Sequence, residues 1–289
     1  MGKLLIIADA DKRCSATPRG LELAHRLGYS AEVVAFSWVS LKALDLSPQE
    51  QAEFKQRLLN ERESELEKRI EKFQHKGQKV RLKVVWHKDL VEWVLKRIDS
   101  GSYEAVVKTG RRTESLIHTP SDWQLLRESK VPVLIVAEEK WQRTKPVLAA
   151  VDLTTRNRDK LKLNDKILTQ AKQVADALEA KLHVIAAIEV PTLLADLDMI
   201  DPGTYFKNQK AAAEPLVKKL AERHEIPASS FCLKRGPVDK VITSEAAKVR
   251  AQLVVMGTVG RKGVKARLLG NTAESVLQLL HTDVLAIKP

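Results

Sequence analysis

Aromatic residues make up only 4% of the chain, so stacking platforms for single-stranded nucleic acid are scarce. The two cysteines, Cys14 and Cys232, lie far apart and match no redox or metal-ligand spacing. That excludes a disulfide framework and leaves two reduced thiols as the expectation. No apolar run approaches the roughly 18 residues that a membrane-spanning helix needs. The stretch Met1-Gly2-Lys3-Leu4-Leu5-Ile6-Ile7-Ala8-Asp9 turns acidic too early for a secretory signal, so a cytoplasmic location is expected. His87, His118, His183 and His281 form no H-E-x-x-H or related set, which removes a zinc-hydrolase reading. There is no nucleophile elbow, no Ser-His-Asp order, no G-x-x-x-x-G-K-[ST] and no G-x-G-x-x-G.

What is present is charge and apolar content in ordinary globular proportion. The net charge is +12, but Lys, Arg and Glu are mixed along stretches such as Lys55 to Lys76. A face of that kind offers no basic recognition surface, so no specific nucleic-acid partner is expected. Any DNA binding should be weak and steeply salt-dependent. Hydrophobic residues are 44% of the 289, enough for full cores and, by length, for two domains.

Periodicity predicts alternating strands and helices, twice over. Strands are expected at 3–9, 32–39, 80–86, 105–108 and 131–137, with helices near 18–27, 48–76, 89–98 and 123–128. The long second helix carries Phe54, Leu58, Leu66, Ile70 and Phe73 as its apolar positions. The pattern then restarts with a strand at 146–152, again ending in Asp. Further strands are expected at 181–188, 230–234, 253–256 and 284–287, with Pro215 as a helix start or kink. Such alternation implies parallel sheets covered by helices on both faces. The expected domains are 1–140 and 146–289.

One stretch stands apart. Leu253 to Met256 is an unbroken apolar run of the kind a strand buried on both faces shows. Four of the chain's twelve glycines follow between positions 257 and 270, with basic residues between them. After Gly270 a helical pattern begins, with Asn271 as the expected N-cap and Glu274 three residues on. A strand, a glycine-rich basic loop and a helix N-terminus together make an anion site, because free backbone N–H groups and the helix dipole point at it.

The spacing Gly257-x2-Gly260-x9-Gly270-Asn271-Thr272 resembles the ATP-binding motif of the universal stress protein family. With Asp9 and Asp152 closing the first strand of each half, the whole chain is similar to that family's tandem two-domain, E-type members. The resemblance implies an α/β fold of two doubly wound domains, each an open, mainly parallel five-stranded sheet of order 3-2-1-4-5. Nucleotide is then expected at the strands' carboxyl ends, where the switch-point rule also puts it. It implies ATP, with Mg2+ brought by the phosphates, as the cofactor of a cytoplasmic stress-response protein with at most slow ATPase activity. Val151 and Asp152 would lie beside the adenosine, Ala187 would line the adenine pocket, and Met256 would belong to the cofactor-binding set. Gly257, Gly260, Gly270, Asn271 and Thr272 would hold the phosphates, supplemented by Arg261, Lys262, Lys265 and Arg267. The expected partners are an adenine nucleotide and the other domain, in an internal pseudo-dimer through the fifth strands; a homodimer is compatible.

The halves are not equivalent. Matching Gly110 to Gly257 leaves the first half four residues short of its fifth strand, since 133 − 110 = 23 and 284 − 257 = 27. Asp122 and Trp123 then stand where a phosphate loop would lead into its helix, and Trp38 is matched to Ala187. The first half is therefore read as degenerate for ATP. Two alternatives stay open: a scaffold or signalling adaptor that binds no nucleotide, and a carrier of another small ligand in the first half.

Overall fold

In the computed structural model, residues 2–9, 14–41, 46–110, 120–137, 141–142, 144–258 and 270–288 are described. The chain divides into two compact units, one formed by the residues up to Gly110 with the segment reaching Val136, the other continuing from Ala137.

The first unit runs β1 (Lys3–Ala8), α1 (Ala16–Arg26), β2 (Ser30–Ser37), α2 (Pro48–Phe73), β3 (Val80–Trp86), α3 (Leu90–Asp99), β4 (Ala105–Thr109), α4 (Pro120–Glu128) and β5 (Val133–Val136). Its sheet is parallel throughout, in the order β3-β2-β1-β4-β5. The second unit repeats the plan with β6 (Val147–Ala150), α5 (Arg158–Ala177), β7 (Leu182–Ile188), α6 (Thr192–Asp196), α7 (Pro202–Arg223), β8 (Phe231–Arg235), α8 (Val238–Val249), β9 (Leu253–Gly257), α9 (Asn271–Leu279) and β10 (Asp283–Ile287). Its parallel order is β8-β7-β6-β9-β10. In both units the third, second, first, fourth and fifth strands therefore lie side by side. The direction of winding reverses between first and fourth strands, which opens a crevice at their carboxyl ends.

Local chemistry explains where the elements begin. Ser47 caps α2 in a capping box with Glu50, and Pro48 takes the first helical position, where its missing N–H costs nothing. Asp89 and Asn157 cap α3 and α5. Asp201 caps α7 by accepting from Thr204 N at 2.7 Å, so that helix starts at Pro202 and Pro215 lies inside it. The helix start, one of the two roles expected of Pro215, lies thirteen residues earlier (215 − 202), at the stronger Asp-Pro start signal. Along α2 the buried stripe shrinks to Leu66 and Ile70, and Phe73 is 37% exposed.

The core strands β1, β4, β6 and β9 are almost wholly buried, as strands covered on both faces must be. One buried carboxylate in β2 has a complete shell: Glu32 accepts two hydrogen bonds from Arg97 and one from Tyr103, each at 2.8 Å. Burial pulls its pKa up, but the bonds to Arg97 and Tyr103 outweigh this and hold it below the usual carboxylate range. The same burial, with the bond to Glu32, pushes the Tyr103 phenol up to about 12.

Candidate functional site

The crevice of the second unit begins where β6 ends. Val151 N donates to Ile185 O of β7, which carries the strand pairing one residue past β6. Asp152 follows, and its backbone is clamped on both sides by one side chain of α5. Asn164 Oδ1 accepts from Asp152 N at 3.0 Å, while Asn164 Nδ2 donates to Asp152 O at 2.7 Å. Asn164 is 2% exposed, so these bonds satisfy an amide that would otherwise be costly to bury. The Asp152 carboxylate turns outward: Oδ1 accepts from Thr154 N and Oγ1, and Oδ2 pairs with Lys160 Nζ at 3.0 Å.

Facing this turn are the end of β7, the end of β9 and the start of α9. A cavity of about 750 Å³ lies between them, within the range of small-molecule sites. Of the residues singled out in the sequence, Val151, Asp152, Ala187, Met256, Gly257, Gly270 and Thr272 all line it. Asn271 is the first residue of α9, and its side chain lies outside the described residues. Gly260, Arg261, Lys262, Lys265 and Arg267 lie outside them as well.

The expected cap is corrected. Gly270, with φ −66° and ψ 139°, is the N-cap of α9, and its carbonyl accepts from Glu274 N at 3.0 Å. Asn271 is already helical and cannot hold the extended backbone that a cap requires. The helix thus opens on a residue with no side chain, and that residue lines the cavity.

Sequence reading missed Lys160, Asn164, Glu189, Tyr205 and Gln209, which share the lining. Asn164 interrupts an apolar helix face between Leu163 and Ile167, and that was a usable signal. Tyr205 and Gln209 stand four apart on one face of α7, but only the fold brings that helix to the cavity.

Gly257 has a packing reason of its own. A Cβ there would fall 2.5 Å from Leu163 Cδ2 and 3.0 Å from its Cγ. Gly257→Ala is therefore expected to cost about 1–3 kcal/mol of unfolding free energy through overpacking. Adding Leu163→Ala should make the double variant's loss smaller than the sum of the two. Denaturant unfolding of the four proteins measures this; strict additivity would remove the contact from the account.

The first unit's crevice is built from different material. Leu4 pairs with Ala105 and Val147 pairs with Leu253, and Leu4 and Val147 each stand five residues before Asp9 and Asp152. By that register Thr109, not Gly110, occupies the place of Gly257. The next hydrogen bonds agree, since Gly110 N donates to Val136 O as Thr258 N donates to Ile287 O. The connection is then three residues shorter than its counterpart, 133 − 109 = 24 against 284 − 257 = 27, and not four. Register also moves the match of Ala187 from Trp38 to Phe36. Phe36 packs edge-to-face on Trp93 with centroids 5.5 Å apart, while Trp38 is 46% exposed under the Lys88 ammonium. A phenyl group, and not an indole, fills the place that Ala187 leaves open.

Two further replacements are coupled. Met256 and Ala273 line the second unit's cavity; the same positions in the first unit are Lys108 and Asp122. Lys108 Nζ lies 2.5 Å from Asp122 Oδ1, with side chains 4% and 0% exposed. A buried ion pair there takes up the position between the fourth strand and the fourth-strand helix.

Comparison with known proteins agrees with this architecture. The model of a family described as "Universal stress protein family" matches residues 144–288. Universal stress protein E of Salmonella typhi is 31% identical over 250 residues, covering 84% of this chain and 79% of that protein. The universal stress protein E homolog of Haemophilus influenzae is 26% identical and covers 99% of this chain and 96% of its own. Among solved structures, a functionally unknown protein of Pseudomonas aeruginosa superposes with TM-score 0.72 at 24% identity, covering 99% and 92% of the two chains. A universal stress protein of Archaeoglobus fulgidus gives 0.67 at 20% identity, covering 99% and 98%. Both structural likenesses bear on the fold alone.

Proposed function

The chain belongs to the universal stress protein family, and from that premise we propose that its second unit binds ATP while its first does not. The observation that carries the reading is that Gly257, Gly270 and Thr272 of the glycine pattern line one cavity with Val151, Asp152, Ala187 and Met256. Ala187 and Met256 offer an apolar wall for the base, and Asp152 stands where a ribose hydroxyl could donate to it. Phosphates fit the start of α9, where unpaired backbone N–H groups and the positive end of the dipole favour an anion. The N-cap of that helix is a glycine, which contributes no side chain of its own there. Mg2+ would arrive with the phosphates and balance their charge, held mainly by phosphate oxygens and water.

The first unit argues the other way. Phe36 and the Lys108–Asp122 pair stand at positions that, in the second unit, are held by the cavity-lining Ala187, Met256 and Ala273. At most slow hydrolysis belongs to this reading, because both oxygens of Asp152 already engage Thr154 and Lys160 and neither is placed as a free base. Among the described residues no helix is long and apolar enough to cross a membrane.

Titration calorimetry of the full chain with Mg2+ and ATP tests the proposal. One ATP per chain is expected. Two sites, or no heat at millimolar nucleotide, would overturn it, and the second result would favour the scaffold reading.

A further inference from the structure

The connection from β7 to α7 differs in character from the rest of the chain. Residues 189–201 carry four carboxylates and no Lys or Arg, in a chain with 49 Lys and Arg against 37 Asp and Glu. The same stretch holds Leu193, Leu197 and Met199, which are 68%, 60% and 67% exposed. They are the three most exposed large apolar side chains among the described residues. We propose that this acidic, apolar strip is a docking surface for a basic amphipathic segment of another protein.

The first argument is that the backbone holds these apolar groups outward. Leu193 and Leu197 stand one turn apart, joined by the bond from Leu197 N to Leu193 O at 3.2 Å. The helix α6 then closes in a locked turn. Asp198 N donates to Ala195 O at 3.1 Å and Met199 N to Leu194 O at 2.9 Å, with Asp198 left-handed at φ 52°. Leu194, Ala195 and Ile200 are half-buried and anchor the segment. Leu193, Leu197 and Met199 are left as apolar surface that only a partner would take from water. The flexible thioether of Met199 suits an irregular partner face.

Charge then selects the partner. The carboxylates of Asp196 and Asp198 are exposed and have no hydrogen-bond or ion-pair partner among the described residues. Glu189 accepts from Val238 N at 3.2 Å. Bonding from Thr204, with the Lys207 charge as a smaller contribution, holds Asp201 below the usual carboxylate range. Lys and Arg of a partner would pair with the uncommitted carboxylates while its apolar side chains seat on Leu193, Leu197 and Met199. A second copy presenting the same strip would set carboxylate against carboxylate, and an anionic membrane surface would be repelled. None of residues 190–201 lines the 750 Å³ cavity, so the strip is separate from the nucleotide reading.

The experiment titrates the full chain into a labelled synthetic peptide of leucine and lysine at helical spacing, reading fluorescence anisotropy. A leucine and glutamate peptide of the same pattern is the control. Leu193→Ser with Leu197→Ser changes only exposed side chains, and Asp196→Asn with Asp198→Asn keeps a residue that tolerates the left-handed turn, so both variants fold. Affinity for the lysine peptide is expected to fall at least ten-fold in each double variant. Salt should weaken binding to the parent more than to the Asn variant, and the glutamate peptide should bind at least ten-fold more weakly. Equal affinity of the lysine peptide for the parent and the Ser variant would overturn the proposal. So would light scattering that shows the parent to self-associate through Leu193 and Leu197, since a second copy would then cover the strip. Binding to phosphatidylglycerol vesicles that the Ser variant loses would overturn it in favour of a lipid surface.

Discussion

Lys108→Met is expected to destabilise the first unit by about 3–5 kcal/mol, the usual consequence of stripping one partner from a buried ion pair. Asp122 is fully buried, and the Lys108 ammonium lies 2.5 Å from it. Without the ammonium, a carboxylate at the N-terminal turn of α4 keeps the dipole's favour but loses the Lys108 charge in a low-dielectric setting. The companion variant is more instructive. Lys108→Met with Asp122→Ala installs the residues that the second unit holds at these positions, Met256 and Ala273. Replacing a buried pair by apolar groups is often neutral or stabilising, so the double variant should recover most of the loss. Urea unfolding of the three proteins measures both steps. A single variant within about 1 kcal/mol of the parent would mean that the pair is not the element holding this crevice together.

Gly270→Val should weaken ATP binding at least ten-fold, about 1.4 kcal/mol, while leaving the fold intact. The backbone at Gly270 has φ −66° and ψ 139°, an extended conformation open to any residue, so the substitution brings no strain of that kind. What changes is the wall of the cavity, where a branched side chain would stand over the first N–H groups of α9. Loss of affinity should grow with phosphate count, from adenosine through AMP to ATP, if the helix start holds the phosphates. Circular dichroism with calorimetry on the same sample separates folding from binding. A folded variant with unchanged ATP affinity would reduce the glycine-rich stretch to a connection between β9 and α9.

The order of strands and helices was legible in the chain because each element carries its own period, apolar face and start signal. Val80–Trp86 coincides with its expected bounds, and the other strands fall within one or two residues of theirs. The glycine spacing and the two strand-end aspartates pointed to one end of one domain, and the cavity there gathers Val151, Asp152, Ala187, Met256, Gly257, Gly270 and Thr272. The misses have a common origin. Matching Gly110 to Gly257 compared residue types along the chain, whereas strand register, set by hydrogen bonds to β1 and β6, puts Thr109 there. Tyr205 and Gln209 carry no local mark of a site, since a helix face acquires its meaning from what it is packed against.

By itself, then, the amino-acid order determined the repeat and the parallel architecture and marked Gly257 and Gly270, which line one cavity, because periodicity and backbone freedom act over a few residues. The tertiary structure alone decided what each crevice contains. Leu163 excludes a Cβ at position 257 across 94 residues of chain (257 − 163), and Lys108 meets Asp122 only because β4 and α4 share one wall. Such contacts depend on which side chains the fold brings within about 4 Å, a condition that no local pattern encodes.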